Sequence, residues 1–397
     1  MRAVVIASSA RDEKGDAPVD PSDRVAGLSV LMRAVLTLQD RGVEWIGIVG
    51  GDRLVDDLRA DPRVSTPLEA VRGPLSARAL VTRAHHVVSP KVFDQLLSSA
   101  KGRVAIAGEH GVGPAVLDAG DDGLPATDAA DVRWLEPEDF VHDASSARGR
   151  RAATRSLFEA CRKPVDGVVS RHLNRRVSLF LSRMLVDTPV TPNAMTFVTF
   201  AVAVAASWLA LDGTYASFAA AGVLMQLNSI LDGCDGELAR VRFQRSTLGQ
   251  WLDTVADDLS NVMFWAAVGY GARHVPEWGP WLARAGWLAA GAHGLSALLN
   301  YVVLARKGSG DFYALLGADV RPEEQPGPLV AFFGTVLRQD FFLFVVMIVA
   351  LAGWLPWALP VLALGAVITL GVSLTRTTQF FSRTAGSPSA RRTGSLR

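Results

Sequence analysis

Residues 229–261 read "SILDGCDGELARVRFQRSTLGQWLDTVADDLSN" and directly follow an apolar run. Four aspartates recur in this stretch at tight spacings: Asp232, Asp235, Asp253 and Asp257. On a helix turning about 100° per residue, with Asp232 at zero, Asp235 falls near −60°, Gly236 near +40° and Ala239 near −20°. One helical face then carries two carboxylates and two very small residues. Asp253 and Asp257 are four apart, so they stack on one face of the next helix. Asp258 is turned about 100° further and falls outside that cluster. Carboxylates converging beside lipid repel one another unless a cation joins them, and hard oxygen ligands select Mg²⁺, Mn²⁺ or Ca²⁺. Gly236 and Ala239 remove bulk, Arg240 can meet a phosphate with its guanidinium fork, and Gly249 lets the next helix approach closely. Together these describe a diphosphate site. The cation neutralises the leaving phosphate, and one acid takes a proton from an incoming hydroxyl.

The surroundings read as membrane. Residues 188–211, 213–231 and 341–375 carry no charge, and 285–305 hold only His293 as a possible one. A span needs roughly 20 mostly apolar residues. Six spans are expected, near 190–211, 214–240, 246–271, 281–305, 329–353 and 357–377, with Pro356 and Pro360 dividing the last apolar run. Arginines crowd the loops on the side of the aspartates, so both termini and the acidic stretch are expected on the cytoplasmic face of the inner membrane. Ahead of the first span, Val169, Leu173, Val177, Phe180 and Met184 share one helical face, which suits a helix lying in the membrane interface. Lys plus Arg is 40 and Asp plus Glu 39, so charge gives no sign of a nucleic-acid partner. Two isolated cysteines, Cys161 and Cys234, suggest neither a disulfide framework nor a zinc site. The opening "MRAVVIASSARDEK" has too short an apolar run for a signal peptide.

The first part of the chain has another character. "RAVVIAS" and "VEWIGIVGG" are strand-like, "VAGLSVLMRAVLTLQDRG" has helical periodicity, and "ALVTRAHHVVSPKVFDQLLSS" reads as strand, turn and helix. "RVAIAGEHGVGPAVLDAG" reads as two more strands. The alternation predicts an α/β domain with a parallel sheet. The organisation expected is an α/β domain over 1–142, a basic linker and interfacial helix over 143–187, an all-α six-span domain over 188–380 and a disordered basic tail over 381–397.

The stretch matches D-x2-D-G-x2-A-R-x8-G-x3-D-x3-D at every fixed position. It resembles the CDP-alcohol phosphotransferases, six-span membrane enzymes that move a phosphoalcohol unit from a CDP-alcohol to a second alcohol and release CMP. The resemblance implies metal binding by Asp232, Asp235 and Asp253, with Asp257 as base and as a further ligand, and Mg²⁺ or Mn²⁺ as cofactor. It implies that Gly236, Ala239 and Arg240, with Gly249 and Asn193 of "TPNAMT", hold the cytidine diphosphate. The α/β domain, "DGVVSRHLNRRVS" and "SILDGCDGELAR" together resemble the bifunctional inositol-1-phosphate cytidylyltransferase/di-inositol-phosphate-phosphate synthases, whose first domain has the nucleotidyltransferase fold. Where a Gly-rich loop should cradle triphosphate, this chain has "SSARDEKGDAPVDPSD", with one glycine and many acids; His85 and His86 stand where a metal-binding Asp is expected. The first domain is therefore expected to be degenerate and non-catalytic, with Arg11 and Lys14 as its candidate phosphate contacts. Arg306, Lys307, Arg321 and Arg376 are candidates for an acceptor phosphate, although such residues more often only anchor helix ends. The expected partners are the CDP-alcohol donor, an alcohol or inositol-phosphate acceptor, the bilayer, and a second copy of the chain in a homodimer. Two alternatives stay open: a phospholipid synthase using CDP-diacylglycerol, and a non-enzymatic carrier or scaffold.

Overall fold

The computed structural model describes residues 2–7, 20, 22–50, 52–73, 75, 77–98, 104–108, 111–117, 131–134, 139–162, 166–308 and 339–385. The chain forms two compact units. Unit 1 takes in residues 1–162, 183–189 and 240–244; unit 2 takes in 163–182, 190–239 and 245–397.

Unit 1 is α/β. Its strands are β1 (Arg2–Ile6), β2 (Arg24–Val25), β3 (Leu28–Ser29), β4 (Trp45–Val49), β5 (Leu68–Ala70), β6 (Ala79–Arg83), β7 (His86–Val88), β8 (Val104–Gly108), β9 (Gly111–Leu117), β10 (Asp131–Trp134) and β11 (Val141–Asp143). Its helices are α1 (Val30–Asp40), α2 (Asp52–Arg59), α3 (Pro90–Leu97) and α4 (Ala147–Glu159). Seven strands form the main sheet in the order β10-β8-β9-β6-β1-β4-β5. β1 lies parallel to both neighbours, with Ala3 opposite Ile46 and Leu80. These residues are buried on both faces, which is why their sequences are continuous apolar runs. The expected parallel sheet needs one correction, because β9 runs antiparallel to β6 and β8. Only two residues separate β8 from β9, and a connection that short permits a hairpin but no parallel crossover. α1 begins where the Ser29 hydroxyl accepts from the Met32 amide at 3.2 Å, and it stops before Gly42, whose φ is +76°. Within unit 1 the buried Arg33 donates to the carbonyls of Val25, Ala26 and Val241. Arg242 in turn donates to the carbonyls of Leu185, Val186 and Thr188.

Unit 2 is helical: a π turn (Ser170–Asn174) running into α5 (Arg175–Leu185), then α6 (Pro192–Ala210), α7 (Tyr215–Val241), α8 (Thr247–Ala272), α9 (Gly279–Lys307), α10 (Gln339–Leu351) and α11 (Leu355–Ala385). Among the described residues, three helices are long and apolar enough to cross a membrane: Pro192–Ala210, Gly279–Lys307 and Leu355–Ser382. α7 and α8 have the length, but their aspartates and amide side chains lower the hydropathy, and α10 is short over the described residues. The break before α11 falls at Ala352–Trp354, not at the prolines; Pro360 lies inside the helix. α8 and α9 meet backbone to backbone, since a Cβ on Gly286 would sit 2.5 Å from Gly269 Cα. Half of the buried core is alanine, such as Ala203 and Ala206, and the other half is larger residues such as Phe264, Val268 and Leu282. Leu173, Val177, Phe180 and Met184 are exposed along one face of the α5 region, while Asn174, Ser178 and Ser182 on the opposite face are buried. An apolar stripe facing outward over a buried polar face reverses the order of a soluble amphipathic helix.

Candidate active site

α7 carries the first part of the motif in its last turns. Three residues apart on one helix, Asp232 and Asp235 end up in different surroundings. Asp235 is buried, and its Oδ2 accepts from Thr196 Oγ1 of α6 at 2.6 Å. Its Oδ1 accepts from the Gly236 amide. Asp232 instead turns toward α8. That helix starts at the Ser246 cap, whose hydroxyl accepts from the Gly249 amide at 2.9 Å, and presents Asp253 and Asp257 one turn apart. One carboxylate oxygen each of Asp232, Asp253 and Asp257 lie within 4.8 Å of one another. The carboxylates repelling Asp232 are Asp257, Asp253 and Asp235, in that order, with Arg175 acting in the opposite sense. Three hard anionic oxygens at such separations fit a small divalent cation.

Of the other sequence-predicted residues, Asn193 and Gly249 come together: a Cβ on Gly249 would lie 3.2 Å from Asn193 Oδ1. Asn193 is held there because Thr191 caps α6 and Pro192 occupies its first turn. Gly236 and Ala239 are half-buried on α7. Arg240 lies in the last turn of α7, and its buried Nε has no hydrogen-bond partner among the described residues. Arg306 and Lys307 form the end of α9, with the Arg306 guanidinium 4.9 Å from the centre of the Phe381 ring. Arg376 is exposed on α11. Arg321, Arg11 and Lys14 lie outside the described residues.

Sequence reasoning missed the polar groups around the cluster. Glu237, fully buried, accepts from Arg175 Nη1 at 2.8 Å and from the hydroxyls of Ser178 and Ser182, each at 2.7 Å. Burial works against the Arg175 charge, but Asp166 and Glu237 outweigh it and hold the guanidinium above its ordinary range. Asp258 accepts from Tyr301 Oη at 2.7 Å and meets His293 Nε2 at 3.1 Å, both on α9. A glutamate in α7 beyond the motif's own acids, with Arg175, Ser178 and Ser182 spaced along one helical face of α5, was the available signal for the first group.

Residues 189–368 match the sequence model of the CDP-alcohol phosphatidyltransferases. That segment is a CDP-alcohol phosphatidyltransferase domain. The whole motif, from Asp232 to Asp257, lies inside this transferase domain. The chain is similar to two proteins named bifunctional IPC transferase and DIPP synthase. The one from Thermococcus kodakarensis is 43% identical over 131 residues, 33% of this chain and 28% of that protein. The one from Aquifex aeolicus is 32% identical over 256 residues, 64% of this chain and 52% of that protein. The inner membrane protein YnjF of Escherichia coli is 37% identical over 145 residues, 35% of this chain and 66% of YnjF. Among solved structures, HddC from Yersinia pseudotuberculosis aligns with 39% of this chain and 99% of its own, at 13% identity and a TM-score of 0.29.

Proposed function

We propose that this chain is an integral membrane transferase that moves a phosphoalcohol group from a CDP-alcohol to a second alcohol and releases CMP. The observation that carries the reading is the convergence of Asp232, Asp253 and Asp257 from two neighbouring helices of the transferase domain. Asp232, Asp253 and Asp257, with Asp235 beside them, would hold Mg²⁺ or Mn²⁺, which supplies charge neutralisation for the diphosphate. Gly236, Ala239 and Arg240 on α7, with Asn193 and Gly249, bind the cytidine diphosphate; the Arg240 Nε, without a partner among the described residues, is a donor suited to a phosphate oxygen. Asp257 takes the proton from the acceptor hydroxyl. The acceptor oxygen bonds to the phosphorus of the phosphoalcohol, the diphosphate P–O bond breaks, and CMP leaves with the electron pair. Relatives named for IPC transferase and DIPP synthase activity support an inositol-phosphate acceptor. Arg306, Lys307 and Arg376 are the described residues assigned to its phosphate. The α/β unit serves as a non-catalytic domain.

The membrane placement is supported by aromatic residues. Trp208 ends α6, Tyr215 opens α7, Tyr270 ends α8, Trp278 and Trp281 open α9, and Trp354 and Trp357 open α11; all are exposed. Tyr215 Oη donates to the Leu351 carbonyl at 2.9 Å and the Trp278 and Trp357 rings lie 6.0 Å apart, so these residues gather at one end of the bundle, where an interfacial belt belongs. The aspartates lie toward the other end, with Arg176, Arg183, Arg306 and Arg376. The test is CMP release by purified protein with a panel of CDP-alcohols, with and without Mg²⁺. Release with CDP-inositol and inositol phosphate supports the reading; release only with CDP-diacylglycerol assigns a lipid product. No release with any donor overturns it.

A further inference from the structure

We propose that Glu237 and Arg175 are positioning residues for Asp232, setting how α7 presents that carboxylate to α8. The inference rests on the metal reading above. Neither residue belongs to the Asp-Gly-Ala-Arg motif.

Glu237 is 0% exposed in the last turns of α7, a helix that also buries the polar Gln226, Asn228 and Asp235. A buried carboxylate is retained only with close partners. Here its partners all come from the polar face of α5: the Arg175 guanidinium and the hydroxyls of Ser178 and Ser182. Arg175 is itself fixed from behind by Asp166, whose two oxygens accept from Nε at 3.1 Å and Nη2 at 3.3 Å. The group presses on α7 beside Asp232. A Cβ on Gly233 would stand 3.1 Å from both Arg175 Nη1 and Ser178 Oγ. Asp232 and Glu237 are five residues apart, about 140° round the helix. With Glu237 held against α5, Asp232 is turned away from α5 toward α8. A rotation of α7 would move Asp232 relative to Asp253 and Asp257, whose oxygens lie within 4.8 Å of its own. Arg175 also opposes, electrostatically, the repulsion that Asp232 receives from its neighbours.

Groups behind a ligand typically change metal affinity by about 10- to 100-fold when removed. A purely structural ion pair would instead affect folding and leave the metal constant alone. The test is Mn²⁺ binding to full-length protein in nanodiscs, read from loss of the free Mn²⁺ electron paramagnetic resonance signal, alongside thermal unfolding. Glu237→Gln keeps the shape and removes the charge; Arg175→Lys keeps the charge and removes the fork. The expected result is a Mn²⁺ dissociation constant raised about 10-fold in Glu237→Gln and less in Arg175→Lys, with both proteins folded. Parent-like Mn²⁺ binding by both folded variants overturns the proposal. If Glu237→Gln fails to fold, Ser178→Ala/Ser182→Ala decides: weaker Mn²⁺ binding supports the proposal, and an unchanged constant overturns it. If the parent itself shows no Mn²⁺ site sensitive to Asp253→Asn, the metal reading fails and takes this inference with it. If the parent binds and only the variants match it, the positioning role alone fails.

Discussion

Asp232 and Glu237 share one helix and meet opposite surroundings. Glu237 is met by a guanidinium and two hydroxyls within 2.8 Å, a complete set of donors supplied by α5. Asp232 is met by Asp253 and Asp257, acids facing an acid. Asp258, next in sequence to Asp257, follows the Glu237 pattern, with His293 and Tyr301 as its partners. A carboxylate ringed by donors is part of the framework. Carboxylates gathered on one another form a site suited to a cation. Unit 1 shows a third way of burying an ionisable group. The His86 imidazole is pushed down to about 3 by burial, with His85 and Arg83 adding to the effect, and it stays neutral.

The sharpest way to break this comparison is to treat neighbours alike. Asp257→Asn is expected to lower the rate of CMP release by about 10²- to 10⁴-fold while the protein still folds, because it removes a proton acceptor. Chelation by EDTA should likewise silence the parent, with activity restored by Mg²⁺ or Mn²⁺. Asp258→Asn should show the reverse balance. It leaves half-buried partners poorly satisfied and costs about 1 kcal/mol of stability, visible in thermal melts. Its effect on CMP release should be far below that of Asp257→Asn. Equal losses of rate from the two substitutions would erase the distinction between site and framework.

A smaller effect concerns unit 1. The folded-state pKa of His86 lies below its ordinary value of 6.5, so below pH 6.5 the unfolded chain binds a proton that the folded unit refuses. Its contribution to stability is complete above that pH and declines as pH falls from 6.5 toward 3. The unfolding temperature of the α/β unit in the full-length protein should therefore drop over that window. His86→Leu should flatten the slope. A pH-independent melt in the parent would contradict the neutral, buried histidine.

What could be read in the sequence follows from range. β1, β4 and α1 are written in apolar runs and periodicity a few residues long, and they fall where those patterns predict. The spacings within 232–240 and 253–257 fix which residues share a helical face, because one helix geometry decides it. The partner of that face could not be read from spacing. Arg175 meets Glu237 across 62 residues, and Tyr301 meets Asp258 across 43, distances over which no local rule operates. The direction of β9 was hidden for a related reason: alternation of strands and helices suggests parallel pairing, and a two-residue connection overrides it. The described part of the apolar reading of 329–353 is helical over 339–351, and its first ten residues lie outside the described residues.

The most direct test is crystallographic: Mn²⁺ soaked into crystals of the full-length protein and located by anomalous scattering. A peak is expected, bonded at about 2.1–2.3 Å to oxygens of Asp232, Asp253 and Asp257 and absent in Asp253→Asn. A parent protein that releases CMP yet shows no peak among those three carboxylates would contradict it.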